Sequence, residues 1–181
     1  MRRVCLTTLV GCLAALAATA GPAAAQQLPG GEARRNALKG LTGVTVTVTS
    51  PGEDAQKDGV TQAQIQKDVE VQLRSGGVRV LSLVEQRELP NAPALRVRMM
   101  TVKGGDGVGT RYFYAVVVSV QLFQSARLEE ASFRSPLRVI TWEGKVAIGI
   151  RSVEELASLG DLIKERIDEF IVDWRAAHQG R

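Results

Sequence analysis

Residues 110–124 read TRYFYAVVVSVQLFQ, and this stretch decides the fold. One set of alternate positions is wholly aromatic or aliphatic: Tyr112, Tyr114, Val116, Val118, Val120 and Leu122. The other set is mixed: Arg111, Phe113, Ala115, Val117, Ser119 and Gln121. Because strand side chains point alternately to the two faces of a sheet, this pattern predicts a long central strand. One face packs on a core, and the other is only partly covered.

The preceding segment predicts an antiparallel neighbour for this strand. Residues 94–102 alternate between Leu95, Val97 and Met99 on one side and Arg96, Arg98 and Met100 on the other. Pairing Thr101 with Tyr112 brings every core-facing residue opposite another, so we predict a hairpin in that register. Residues 104–109, GGDGVG, then form the hairpin connection. A phosphate loop or calcium repeat fits them less well, since no helix start follows and an aspartate is missing.

The rest of the chain supplies helices and further strands. Residues 44–48 predict a first strand. A capping box at Thr61 predicts the start of a helix, which Gly76 and Gly77 end. Residues 78–83 predict a second strand, parallel to the first. Residues 136–142 and 146–150 predict two more strands, and a capping box at Ser152 begins a long C-terminal helix. We therefore predict an α+β domain, a two-layer sandwich with two helices on one face of a mixed four- to five-stranded sheet.

The N-terminal residues have the features of a secretory signal peptide. An arginine pair precedes an apolar run, and three alanines lie directly ahead of Gln26. This layout predicts a periplasmic or secreted protein, cleaved between Ala25 and Gln26, and not a membrane span. We prefer ordinary export to the twin-arginine route. We also prefer cleavage to a lipid anchor at Cys12, which would leave only a short apolar region before it.

Cleavage there would remove both cysteines, so the mature chain would contain no disulfide and no thiol. The formal net charge would fall from +4 to +2, because two arginines and no acidic residue leave with the peptide. So small a charge argues against nucleic-acid binding. Residues 26–40 predict a flexible leader, and residues 41–178 predict a single α+β domain.

Few residues are candidates for catalysis or metal binding. His178 is the single histidine of the chain, and we place it in a solvated tail beyond the last helix. Without a mature cysteine, Cys–His and Ser–His catalysis have almost no candidates. We therefore predict no catalytic residue, no metal, no cofactor and no enzyme activity. The alternative is an enzyme of unknown class, in which the fold would bring two acidic side chains together for acid–base catalysis.

The sheet face turned away from the helices carries the main functional candidates. The predicted registers place arginine and aromatic side chains there: Arg96, Arg98, Arg111, Phe113, Arg138 and Trp142. Such combinations are typical of binding surfaces, and Arg96 beside Trp142 would add a cation–π interaction. The alternative is an ordinary solvated face whose arginine stems shield apolar neighbours.

Two functional hypotheses follow. The first is a non-catalytic module that binds an envelope protein or itself, through this face or an open sheet edge. The second is a small-ligand binder, with an apolar or anionic ligand between the sheet and the final helix.

Several short segments also carry a resemblance to known proteins. They are DGV at 58–60, LRSGG at 73–77, YAV at 114–116, TW at 141–142 and FI at 170–171. These segments look like those of small secreted bacterial proteins of uncharacterised function. The order of elements resembles the TolB N-terminal domain and CsgG-like periplasmic modules. The resemblance implies an α/β arrangement in the cell envelope and transfers no functional residue.

Overall fold

The computed structural model describes residues 31–107, 109, 111–127 and 136–179. The predicted signal peptide, its cleavage site, Cys12 and the first part of the leader lie outside the described residues. The helices are α1 (Gly31–Asn36), α2 (Glu53–Lys57), α3 (Gln62–Ser75), α4 (Leu83–Glu88) and α5 (Leu159–His178), with a 3-10 helix at Glu154–Ser158. The strands are β1 (Thr45–Val48), β2 (Ala94–Gly105), β3 (Tyr112–Ala126), β4 (Leu137–Glu143) and β5 (Ala147–Ser152).

The described strands form one mixed sheet in the order β1-β2-β3-β4, with β5 also paired to β3. β1 is parallel to β2, and the other pairs are antiparallel. One edge of β3 pairs with β5 along its first half and with β4 along its second half. Between these two strands the Gly144 amide donates to the Val120 carbonyl over 2.9 Å. β4 and β5 therefore follow β3 as one long strand with an interruption near Gly144.

The hydrophobic core lies between one face of this sheet and the two long helices. The buried sheet residues are Leu95, Val97, Met99, Tyr114, Val116, Val118, Val120, Leu122 and Trp142. α3 contributes a buried stripe of Ile65, Val69 and Leu73, and α5 contributes Ile163, Ile167, Phe170, Ile171 and Trp174. All of them belong to one cluster. The α+β class and the mixed sheet of the sequence analysis are thus confirmed.

The hairpin of β2 and β3 is confirmed, but its predicted register is wrong by four residues. Thr101 lies opposite Val116 and not Tyr112, because β2 continues through Gly105 and the turn is correspondingly shorter. An even shift keeps every side chain on its expected face, since the strand period is two. Apolar alternation therefore determined the faces of the two strands and left the register open.

The predicted second strand at residues 78–83 is also wrong. Only a single parallel bridge, between Val44 and Val80, forms there. Ser82 instead begins α4: its hydroxyl accepts from the Glu85 amide, and the Glu85 carboxylate accepts from the Ser82 amide. This reciprocal capping box outweighs the β propensity of the valines and leucines around it.

The other predicted helix signals have mixed outcomes. Ser152 and Glu155 form the expected reciprocal capping box, which starts the 3-10 helix ahead of α5. Thr61 accepts from the Gln64 amide, while the Gln64 side chain bonds Asp68 instead of closing the box. α3 ends at Ser75, and Gly77, two residues beyond, has a φ of +85°, the left-handed conformation that glycine adopts with little strain.

The last ten residues assigned to the flexible leader are held against the domain. Residues 31–36 form α1, and the Leu38 side chain is buried in the core cluster. Arg34 Nη2 donates to Glu169 Oε1 and Asp173 Oδ2 of α5, each over 2.9 Å. Burial alone would raise the pKa of Glu169, but the bonds from Arg34 and the Lys145 amide outweigh it and lower that pKa.

Candidate binding surface on the outer sheet face

The sheet face opposite the helices is built by the second set of alternate strand residues. In β2 these are Arg96, Arg98, Met100 and Val102, because Leu95, Val97 and Met99 point into the core. We call the side of the sheet that carries these four residues the outer face. It is exposed along much of its length, so its composition determines what can bind there.

Two rows of apolar side chains cross the outer face from β2 through β3 to β5. In the first row Met100 lies opposite Val117, which lies opposite Ile148. The second row is Val102, Ala115 and Ile150. Val102 is 63% exposed, Ile148 78% and Ile150 69%. These six residues form a contiguous patch, which we call the apolar patch.

Phe113 extends the apolar patch at the hairpin end of the sheet. Its ring lies across Gly104 of β2, where an added Cβ would come within 2.7 Å of the ring. Only glycine leaves room for the ring in this position, and 39% of Phe113 remains exposed. The glycine at 104 therefore has a packing role on this face, and it lies within β2 and not in the hairpin connection, where it was predicted.

Arginines border the other end of the apolar patch. Arg98 lies opposite Ser119 and directs its guanidinium to the Met100 sulfur over 3.2 Å. Arg96, one row further, lies with its guanidinium 4.3 Å from the Phe123 ring centre. A cation over an aromatic ring keeps its charge while shielding the ring from water. The outer face is thus apolar at one end and carries two arginines at the other, where Glu143 ends the row that begins with Arg96.

Of the six predicted binding residues, four lie on strands at the outer face, one lies just before β3 and one lies on the other side of the sheet. Arg96, Arg98 and Phe113 lie as described above, and Arg138 lies at the far end of β4, where it donates to the Ala92 carbonyl over 2.6 Å. Arg111 is exposed but precedes β3. The remaining residue, Trp142, is placed on the opposite side of the sheet.

The prediction that Trp142 points outward is wrong, and the cause is a β-bulge. Phe123 pairs with Ile140 while the adjacent Leu122 pairs with Trp142, so Thr141 is an extra residue in β4. The bulge reverses the inward and outward positions after Ile140. Trp142 is consequently 1% exposed and packs edge-on against Phe170 at 5.0 Å between ring centres.

The expected cation–π pair of Arg96 and Trp142 is therefore replaced by two others. Arg96 covers Phe123 on the outer face, and Arg34 lies 4.9 Å from the Trp142 ring centre on the core side. The buried Gln124 amide stabilises the bulge by donating to Thr141 Oγ1 over 2.7 Å and to the Ala37 carbonyl over 3.0 Å. No local sequence motif marks such a bulge.

Several members of the apolar patch were not predicted as binding residues. Ile148 and Ile150 were recognised as a strand, and Met100 as an outward residue, but none was assigned to a site. The signal was present in the alternation of β2, which changes from arginine at 96 and 98 to methionine and valine at 100 and 102. Apolar residues at outward positions of adjacent strands are the pattern that indicates such a patch.

One cluster of ionisable groups lies at the hairpin end of the core. Asp58 Oδ2 accepts from Lys103 Nζ over 2.7 Å and from the Tyr114 hydroxyl over 2.6 Å. The bonds from Lys103 and Tyr114 lower the pKa of Asp58, and the bond to Asp58 raises the pKa of Lys103. Burial, followed by the bond to Asp58, raises the pKa of Tyr114. Each shift favours the protonation state that the group already has at neutral pH.

His178 does not lie in a solvated tail, as predicted, but is the last residue of α5. Its ring stacks on Trp174 at 4.4 Å, and its nitrogens lie 2.8 Å from the Trp174 carbonyl and 3.0 Å from the Leu41 carbonyl. The histidine therefore joins the end of α5 to the segment before β1. Within the described ranges, no three His, Cys, Asp or Glu side chains are grouped so as to hold a metal ion.

A groove of about 740 Å³ with both polar and apolar lining lies beside the edge strand β1 and helices α3 and α4. Gln56, Gln62, Gln66 and Glu70 are among its lining residues. The second hypothesis placed a ligand elsewhere, between the sheet and α5. In the described structure that space is packed with core side chains such as Phe170 and Trp142.

Comparison of the sequence with models of known protein families finds no match, and comparison with curated proteins finds none either. The resemblance to TolB and CsgG-like modules therefore stays a prediction. None of the helices in the described part of the chain combines the length and the apolar character needed to cross a bilayer.

Proposed function

We propose that this protein is a non-catalytic module that binds another protein through the outer face of its sheet. The observation that carries the proposal is the apolar patch, with two cross-strand rows and Ile148 exposed to 78%. Contiguous apolar surface of this kind is unfavourable in water and marks interaction sites in soluble proteins.

The chemistry of the outer face specifies the kind of partner. The matching surface would be apolar opposite Val102 and Ile150 and would carry acidic groups opposite Arg96 and Arg98. Complementary charge at the border of an apolar contact sets orientation and association rate more than affinity. We therefore infer a protein partner with an acidic border and no nucleic-acid partner.

The proposal assigns no catalytic role, and the Asp58 cluster supports this. Tyr114, Lys103 and Asp58 satisfy one another, and each pKa is shifted away from neutrality. A general acid or base works best with a pKa near the operating pH. The cluster is better suited to holding the segment before α3 against β2 and β3.

We further propose that the protein is exported and meets its partner in the cell envelope. The support is the sequence of residues 1–25, with its arginine pair, apolar run and alanine-rich end. Intact-mass measurement of the protein recovered from the periplasmic fraction should give a chain beginning at Gln26. A chain that retains residue 1 and stays in the cytoplasm would contradict this part of the proposal.

A crosslinking pull-down from the envelope fraction tests the binding surface. The test variant is Val102→Glu, which places a charge in the apolar patch on β2. The matched control is Val172→Glu, because Val172 on α5 is 65% exposed, close to the 63% of Val102, and lies away from the outer face. Circular dichroism and thermal melting establish that both variants fold.

We expect one specific partner to be lost with Val102→Glu and retained with Val172→Glu. The purified partner should then bind the wild-type protein directly and bind the Val102→Glu variant at least about tenfold more weakly. Identical partners for the wild type and both variants would overturn the assignment of the outer face as the binding surface.

A further inference from the structure

The two edges of the sheet differ in how their backbone groups are covered. At the β1 edge, Gln62 Nε2 donates to the Val48 carbonyl over 2.7 Å and Gln66 Nε2 donates to the Val46 carbonyl over 3.2 Å. The bridge between Val44 and Val80 covers the start of the same edge. α3 and the segment after it thus keep another strand from pairing with β1.

No helix lies across the β5 edge in the described part of the chain, where β5 pairs with β3 alone and the side chain that bonds an outward carbonyl is its own Arg151. The Ile150 carbonyl accepts from Arg151 of its own strand, over 2.9 Å. This bond indicates that the carbonyl faces away from β3. Because the N–H and C=O of one residue in an antiparallel strand point the same way, the Ile150 amide also faces outward, and so do those groups of Ile148.

The sequence of β5 has few of the features that usually protect a sheet edge. It contains no lysine, no proline and a single charged residue, Arg151. Its two isoleucines are among the most exposed large hydrophobic residues of the described structure. An exposed apolar edge strand of this kind is a template for pairing with another strand.

We propose that a second copy of this chain pairs with this edge, β5 against β5, antiparallel about a two-fold axis at Gly149. The segment Ile148-Gly149-Ile150 reads the same in both directions, which is the self-complementarity that an isologous interface requires. Ile148 of each copy then lies opposite Ile150 of the other. Such β-branched cross-strand pairs stabilise a sheet.

Charge selects this register over its neighbours. Centred on Gly149, the pairing places Arg151 opposite Ala147 of the second copy. A shift that centres the axis on Ile148 places Arg151 opposite Lys145, and like charges directly opposite are destabilising. A shift that centres it on Ile150 leaves a single isoleucine pair, Ile150 opposite itself, and places each Ile148 opposite Ser152. The Gly149 register alone keeps both isoleucine pairs without a like-charge pair.

The two-fold axis is perpendicular to the sheet, so both outer faces lie on the same side of the dimer. The apolar patches of the two copies become adjacent across the new strand pair. A contact between two six-residue strands is smaller than the roughly 1,000 Å² of a stable interface, so the dimer should dissociate on dilution. This inference goes beyond the proposed function, because it concerns the edge and holds whatever the outer face binds.

Sedimentation of the purified protein over a range of concentrations tests the inference with two variants of one residue. Ile150→Ala shortens the side chain and keeps the outward amide, whereas Ile150→Pro also removes that amide, which is not bonded to β3. In the dimer, the Ile150 amide of each copy donates one hydrogen bond to the other copy, so the proline variant loses two symmetry-related bonds. We expect Ile150→Ala to weaken the dimer and Ile150→Pro to weaken it at least about tenfold more.

Thermal melting checks that the proline variant is folded, and cysteine crosslinking tests the register without relying on that variant. In a chain with Cys5 and Cys12 replaced by serine, Gly149→Cys should form an intermolecular disulfide and Ile150→Cys should not, because only residue 149 lies opposite itself. An added Cβ at Gly149 meets only the Arg151 guanidinium, at 3.1 Å, which can move. A wild-type monomer at every concentration, or preferential crosslinking at 150, would overturn the inference.

Discussion

Trp142 Nε1 donates a hydrogen bond to Asp173 Oδ2 over 2.9 Å, and this bond joins β4 to α5 beneath the sheet. The same carboxylate accepts from Arg34 of α1, so three elements distant in sequence meet at one acidic side chain. The tryptophan that the sequence pattern places on a binding surface is therefore a structural residue of the core.

Replacing Trp142 by phenylalanine should lower the free energy of unfolding by about 2 kcal/mol, because a bond to a charged group and part of a buried ring are lost. Urea denaturation measures the change. Trp174→Phe is the matched control, since Trp174 is also buried, at 6% exposure, and its indole N–H has no partner among the described residues. An equal loss in the two variants would mean that the bond to Asp173 contributes little.

Replacing Arg34 by methionine should cost about 2 kcal/mol of stability, because Glu169 and Asp173 would keep their charges in a partly buried site without their common partner. Arg35→Met is the control, as Arg35 is the next residue of α1 and is exposed. Chemical denaturation of both variants gives the comparison. If Arg34→Met lowers the free energy of unfolding no more than Arg35→Met does, these ion pairs do not hold α1 to α5.

The Asp58 cluster predicts a pH-dependent stability. Bonds from Lys103 and Tyr114 lower the pKa of Asp58, so its contribution is present above the unfolded-state pKa of about 4 and is lost as pH falls through the lower folded-state pKa. We expect Asp58→Asn to be less stable than the wild type at pH 7. The difference should shrink on acidification below about pH 4.

Denaturation curves at several pH values between 7 and the acid limit measure this difference. The exposed α2 residue Asp54 provides the control variant Asp54→Asn. A wild-type advantage over Asp58→Asn that persists unchanged in acid would contradict the assignment of the effect to the ionised carboxylate.

Two glycine-to-alanine changes should have opposite effects. At Gly76 an added Cβ would lie 2.6 Å from Ile171 Cδ1, so Gly76→Ala should push α3 from α5 and destabilise the protein by roughly 1–3 kcal/mol. At Gly160 in α5 nothing lies within 4 Å, and alanine should stabilise the helix by up to about 1 kcal/mol. Thermal melting distinguishes the two. A stabilised Gly76→Ala variant would show that the close packing of the helices is not required.

Features of the fold that depend on local interactions were predictable from the sequence, and features that depend on long-range contacts were not. Strands β2 and β3 and the faces of their side chains follow from a period of two that any short window of sequence contains. Their register follows from turn geometry and from how far β2 extends, and it differs from the prediction by four residues. The start of α4 was readable from Ser82 and Glu85 but was assigned to a strand because of the adjacent apolar residues.

The predicted residues of the outer face likewise include some that local alternation placed correctly and one that it did not. Arg96, Arg98 and Phe113 were assigned correctly to the outer face, since each lies in a strand whose alternation is uninterrupted. Trp142 was not, because one extra residue at Thr141 reverses the phase of β4. Whether a bulge forms depends on partners such as the buried Gln124 amide, which lies on another strand and is unrelated to Thr141 by any local pattern.

By itself, the sequence determined the α+β class, the mixed sheet and the apolar and polar faces of its elements, because periodic burial is a local property of the chain. Only the tertiary structure decided the hairpin register, the burial of Trp142 and the union of Met100, Val102, Ile148 and Ile150 in one patch. These features depend on which strands become neighbours. That choice is made by packing between residues far apart in sequence, so no single segment of the chain contains it.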